Sequence, residues 1–125
     1  MREELDKQLC EKYPKIFADR FGDMRTTAMC WGFECGDGWY NILDNLCWVI
    51  QSHIDQIELV EQVVATQVKE KFGTLRFYIY GGDDYIQGAI AMAEEMSART
   101  CEVCGKPGKP QGGGWIRTTC GEHDE

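Results

Sequence analysis

The chain has 125 residues, enough for one compact domain with a small appended module, and its 43% hydrophobic content supports a modest core. The net charge is −8: residues 1–98 carry 9 Lys and Arg against 17 Asp and Glu, whereas residues 99–125 carry 4 of each. Nucleic-acid binders draw most of their non-specific affinity from basic side chains on phosphates, so this balance argues against DNA or RNA as the main partner.

The first stretch, MREELDKQLCEKYPKIF, has no apolar signal region or cleavage site, and no apolar run reaches the roughly 20 residues that span a bilayer. The expectation is a soluble protein of the cytoplasm with no membrane partner. In that reducing compartment seven cysteines, an odd number, speak against a disulfide framework.

Leu5, Leu9 and Tyr13 recur at i, i+4 and i+8, which predicts a helix over 2–13 that Pro14 ends. TTAMCWGFECG at 26–36 is rich in β-formers and predicts a short strand around Ala28–Phe33. Asp37 then reads as the N-cap of a helix running to about Ser52, with Trp39, Leu43, Leu46 and Ile50 on its apolar stripe. QVVATQVKEKFGTLRFYIY at 62–80 predicts a β-hairpin that turns at Gly73, with Val64, Thr66 and Val68 on one face. Asp83 or Asp84 caps a last helix whose apolar face is Ile86, Ile90, Ala93 and Met96, ending near Arg99. Helices and strands do not alternate as βαβ units. The predicted class is therefore α+β: helices packed on a small antiparallel sheet, the hairpin, with a C-terminal zinc-ribbon or knuckle module. The expected division is a body at 1–98 and a metal module at 99–125, packed on it or appended to it.

That module carries the strongest chemical signal. CEVCG at 101–105 and CGEH at 120–123 place Cys101, Cys104, Cys120 and His123 in two pairs, CxxC and CxxH, each beside a turn glycine. Tetrahedral zinc takes four such N and S ligands, so the spacing predicts one structural zinc ion per chain in a small ribbon or treble-clef-like module. A redox CxxC would belong near a thioredoxin-like βαβ pattern and would leave Cys120 and His123 unexplained. A catalytic zinc keeps an open position, and a deaminase site needs a His-x-Glu that is missing here. The GKPGKPQGGG stretch at 105–114 reads as a flexible loop inside the module.

The remaining cysteines, 10, 30, 35 and 47, read as small apolar thiols, with a second metal site at Cys30 and Cys35 the open alternative. GFECGDGW at 32–39 reads as a capped helix start, or else as a tight loop in which Asp37 and Trp39 meet a ligand. His53 reads as a surface residue near the terminal carbonyls of its helix, with a Cys35–Asp37–His53 enzyme site as the outside alternative. Arg76 alternates with Tyr78 and Tyr80, a combination that can stack bases on a sheet face.

GFECGDGWYNILDNLC, KEKFGTLRFY, AEEMSARTCEVCG and GWIRTTCGEH, in this order between about Met24 and His123, resemble a family of small proteins encoded in tailed-phage and prophage genomes. The resemblance implies an accessory protein with a C-terminal zinc knuckle and carries over no activity. The expected function is non-enzymatic: a zinc-stabilised acidic protein that binds or inhibits a host protein, an antiviral-defence component among the candidates, in the bacterial cytoplasm. Trp31, Asp37, Trp39, Arg76, Trp115, Ile116 and Arg117 are the expected contact residues, since aromatic residues and Arg anchor most interfaces. A nucleic-acid-binding zinc module is the alternative.

Overall fold

A computed structural model of the chain describes residues 1–124. Helix α1 (Glu3–Lys12) turns its Leu9 inward and stops before Pro14. A 3-10 turn (Ala28–Trp31) leads to β1 (Phe33–Glu34), and a second 3-10 turn (Asp37–Trp39) enters α2 (Tyr40–Gln56). Strands β2 (Val64–Lys71) and β3 (Thr74–Tyr80) form the hairpin, and α3 (Asp84–Ser97) leads to β4 (Lys109–Gln111) and β5 (Arg117–Thr119). The class is α+β, as expected. No helix among the described residues is long and apolar enough to cross a membrane.

Several local features differ from the sequence expectation. The strand expected at Ala28–Phe33 is mostly a 3-10 turn, because the Thr27 hydroxyl accepts the Met29 N–H and curls the chain before it can pair. Only Phe33 and Glu34 reach the sheet, and they lie parallel to β2 at Val68 and Lys69. The sheet is therefore mixed, in the order β1-β2-β3, rather than an antiparallel hairpin alone. The register of β2 shifts between Ala65 and Gln67, so Ala65 and Val68 face the core while Val64 and Thr66 turn outward. Lys109–Gln111, expected within a flexible loop, pairs with Thr119–Arg117 as a two-stranded ribbon.

The core lies between the sheet and α2 and α3. Phe17 meets Phe33 and Phe77 edge-on at 4.9 and 6.3 Å between ring centres. Leu43, Ile50, Val68, Leu75 and Ile86 are fully buried around them, each worth roughly 1.5–3 kcal/mol on leaving water. The outer edge of β3 would expose unpaired amides. Instead the Leu75 N–H donates to the Ser97 hydroxyl at 2.8 Å, and the Phe77 N–H to the Glu94 carboxylate at 3.1 Å. Helix α3 thereby closes the sheet edge and delivers the chain to Thr100 and Cys101. Asp83 is its N-cap: the carboxylate accepts the Ile86 N–H at 3.0 Å.

Candidate metal centre and the surfaces around it

The candidate metal module begins where α3 ends. Its first turn folds back because Gly105 adopts φ 84°, a left-handed angle that glycine takes without cost. The Gly105 N–H donates to the Cys101 carbonyl at 2.9 Å, and the Cys101 N–H to the Lys106 carbonyl at 2.8 Å. The second turn follows β5, where the His123 N–H donates to the Cys120 carbonyl at 3.1 Å.

These two turns bring the Sγ atoms of Cys101, Cys104 and Cys120 and a ring nitrogen of His123 within 4.8 Å of one another. Cys104 and Cys120 Sγ are 3.7 Å apart; His123 Nδ1 is 3.7 Å from Cys101 Sγ and 3.2 Å from Cys120 Sγ. A tetrahedron with metal–sulfur bonds of 2.3 Å and metal–nitrogen bonds of 2.0–2.1 Å has edges of about 3.8 Å between sulfurs and about 3.6 Å between sulfur and nitrogen. These three spacings are near tetrahedral edges and all four donors lie within 4.8 Å of one another, so the group can hold a metal ion. Burial opposes ionisation of the Cys101 thiol, but the N–H groups of Cys104, Cys120 and Val103 outweigh it and bring its pKa down to about 6. Such a thiol is readily available as a thiolate ligand.

The module is seated on GFECGDGW. The Gly38 N–H donates to the Glu102 carbonyl at 2.7 Å, and the Gly36 N–H to the Glu102 carboxylate at 2.9 Å. Burial raises the pKa of that carboxyl, while the bond from Gly36 lowers it. A Cβ on Gly36 would overlap the Glu102 carbonyl oxygen, and one on Gly38 would overlap that of Cys101. On the far side the Thr118 hydroxyl donates to the Gly73 carbonyl at 2.6 Å, and the Glu102 N–H to the Thr118 carbonyl at 3.0 Å. Gly36 and Gly38 thus permit backbone to lie on backbone.

This arrangement corrects one expected contact residue and one expected helix cap. Trp39 is 0% exposed, with its indole N–H donating to the Thr100 carbonyl at 2.9 Å, so it packs the body against the module and meets no partner. Asp37 does not cap its own helix, because α2 begins only at Tyr40. Its carboxylate accepts the Arg2 N–H at 2.8 Å, at the entrance of α1. Trp31 is exposed on its 3-10 turn, and Arg117 is half-buried in β5.

Trp115 and Ile116 come together with a residue that sequence reasoning passed over. Phe72, 69% exposed, occupies the hairpin turn and lines a cleft of about 310 Å³ with Gly114, Trp115 and Ile116. Phe72 and Gly73 have φ of 54° and 83°, the two left-handed positions of a tight two-residue hairpin turn. The first is normally Asn, Asp or Gly, so Phe-Gly in KEKFGTLRF was the available signal.

Arg76, Tyr78 and Tyr80 share the outer face of the sheet, where Lys69 stands directly across from Arg76. The Nε of Arg76 is buried without a hydrogen-bond partner. His53 stands in the last turn of α2 as expected, but its ring is largely covered: it lies 2.7 Å from the Asp83 carboxylate and stacks on Tyr85 at 4.0 Å. No hydrogen bond links it to Cys35 or Asp37 among the described residues. Burial pushes the Cys35 thiol up to about 12 and the Cys47 thiol well above its ordinary value; burial with the nearby Asp6 takes Cys10 to about 12. All seven cysteines are free, and Cys30 and Cys35 join no metal-ligating group among the described residues.

No family model, curated protein or solved structure matches the chain.

Proposed function

We propose that the protein is a non-enzymatic binding protein, stabilised by one structural zinc ion, that docks a partner on the tip of its hairpin and the adjoining module loop. Three thiolates and an imidazole at tetrahedral spacing form a donor set that zinc favours, and four protein ligands complete its shell. The observation that carries the docking reading is Phe72. A bulky residue at a left-handed position costs about 1–2 kcal/mol, and here the ring is exposed beside Trp115, which is 77% exposed. Within the fold the exposed ring gains only the Lys71 ammonium 5.7 Å from its centre, a small return on that strain, whereas at an interface Phe and Trp anchor binding.

We place the partner among proteins of a bacterial host, an antiviral-defence component included, from the resemblance to phage accessory proteins. The acidic body suits a basic partner surface by charge. The test is affinity capture from bacterial lysate with wild-type, Trp115→Ala and Phe72→Asn baits, quantified by mass spectrometry. A protein enriched by the wild type and lost from both folded variants supports the reading. Identical captures with all three baits would overturn it.

A nucleic-acid reading is favoured by one observation. Lys69 and Arg76, like charges directly opposed beside exposed Tyr78, would gain from an anion on the open sheet face. Gel shifts with single-stranded DNA and RNA decide it: salt-sensitive binding lost in Arg76→Ala would displace the protein-docking reading.

A further inference from the structure

We propose that the groove between α2 and α3 is a docking site for a basic amphipathic helix of another protein, separate from the hairpin tip. The groove encloses about 540 Å³ and is floored by Ile42, Leu46, Val49, Ala89 and Ala93. Met92, 65% exposed, and Met96 stand along its α3 wall, and Tyr85 stands at one end. Methionine side chains adapt to the shape of an incoming apolar surface, and a groove between two helices accepts the apolar stripe of a third.

Charge selects the occupant. Helices α2 and α3 carry Asp44, Asp55, Asp84, Glu94 and Glu95 and no Lys or Arg. Asp44 is bound by Lys12, and Glu94 accepts the Phe77 N–H. That leaves Asp55, Asp84 and Glu95 without a cationic partner among the described residues. Asp84 itself lines the groove. A second copy of this chain, with a net charge of −8, would bring another pair of helices without Lys or Arg to Asp84, so self-association through this face is opposed. Lys or Arg flanking an apolar stripe would complement them.

Gly88 marks the point of closest approach. It lies inside α3 and lines the groove, and a side chain there would meet nothing within 4 Å. Glycine weakens a helix interior, and no contact of this fold requires one at 88. A bare backbone at that point lets another helix settle deep between α2 and α3.

The test titrates the full, metal-loaded chain with an amphipathic Leu/Lys peptide of about 18 residues, long enough to span either helix. A Leu/Glu peptide of equal apolar periodicity and a Leu/Lys peptide of scrambled order are the controls. The amphipathic Leu/Lys peptide should become helical on binding and bind at least about ten-fold tighter than either control. Gly88→Gln, which changes no charge and raises helix propensity, should raise the melting temperature yet weaken binding about ten-fold. Met92→Lys should weaken it similarly, and Trp115→Ala should leave it unchanged. The proposal is overturned if the scrambled peptide binds as well, if Gly88→Gln binds as the wild type does, or if Trp115→Ala abolishes binding.

Discussion

The indole N–H of Trp39 donates to the carbonyl of Thr100 at 2.9 Å, one residue before Cys101, the first of the four candidate ligands. A fully buried side chain of the body thus holds the last peptide before Cys101. Trp39→Phe keeps most of the ring and removes the donor, leaving the Thr100 carbonyl without that bond. It should cost about 1–3 kcal/mol, read as a lower midpoint in urea unfolding. Unchanged stability would mean that the module does not depend on this contact.

Gly38 stands against the Cys101 carbonyl with no room for a methyl group. Gly38→Ala should force the module off its seat, at a cost of about 1–3 kcal/mol. The same variant should release metal faster to a chelator, because the first ligand pair loses its platform. Gly113→Ala, where a side chain meets nothing within 4 Å, is the matched control and should behave as wild type.

Phe72 is predicted to show opposite effects on stability and binding. Phe72→Asn places at φ 54° a residue that tolerates the left-handed region, and should stabilise the protein by about 0.5–1 kcal/mol in thermal unfolding. Capture of the partner should fall at the same time. A destabilised Phe72→Asn variant would show that the ring contributes to the fold rather than to an interface.

Asp83 links α3 to α2. Its carboxyl is held below its ordinary value of 3.8 first by the His53 hydrogen bond and then by the Ile86 N–H. A carboxylate with a depressed native pKa contributes stability that is present above 3.8 and lost as pH falls through the native value. Asp83→Asn, which can still cap the helix, should therefore be less stable than wild type at pH 7. The two should converge in unfolding experiments as the pH drops below about 4. A gap that persists at pH 3 would contradict the assignment.

Spacing over ten residues or so carried most of the architecture. The stripes Leu9–Tyr13, Leu43–Ile50 and Ile86–Ala93, the turn at Gly73 and the Asp83 cap are local patterns, and the two Cys/His pairs are likewise short-range. The seat of the metal module was not legible, because Gly36 and Gly38 meet Glu102 and Cys101 from more than 60 residues away. The phase of β2 was hidden by a bulge that composition does not mark, and the 3-10 turn at 28–31 by a single Thr27 hydroxyl competing with strand pairing. Trp39 illustrates the same limit: an aromatic residue beside a glycine loop reads equally as anchor or contact until its burial is known.

A closed Cys₃His zinc site that clamps the module to the body is open to X-ray absorption at the zinc edge on protein purified without chelator. The spectrum should show one zinc per chain with three sulfurs at about 2.3 Å and one nitrogen at about 2.0–2.1 Å. Cys101→Ser should lose the metal. Protein that carries no zinc, or zinc bound by fewer than three sulfurs, would contradict such a site.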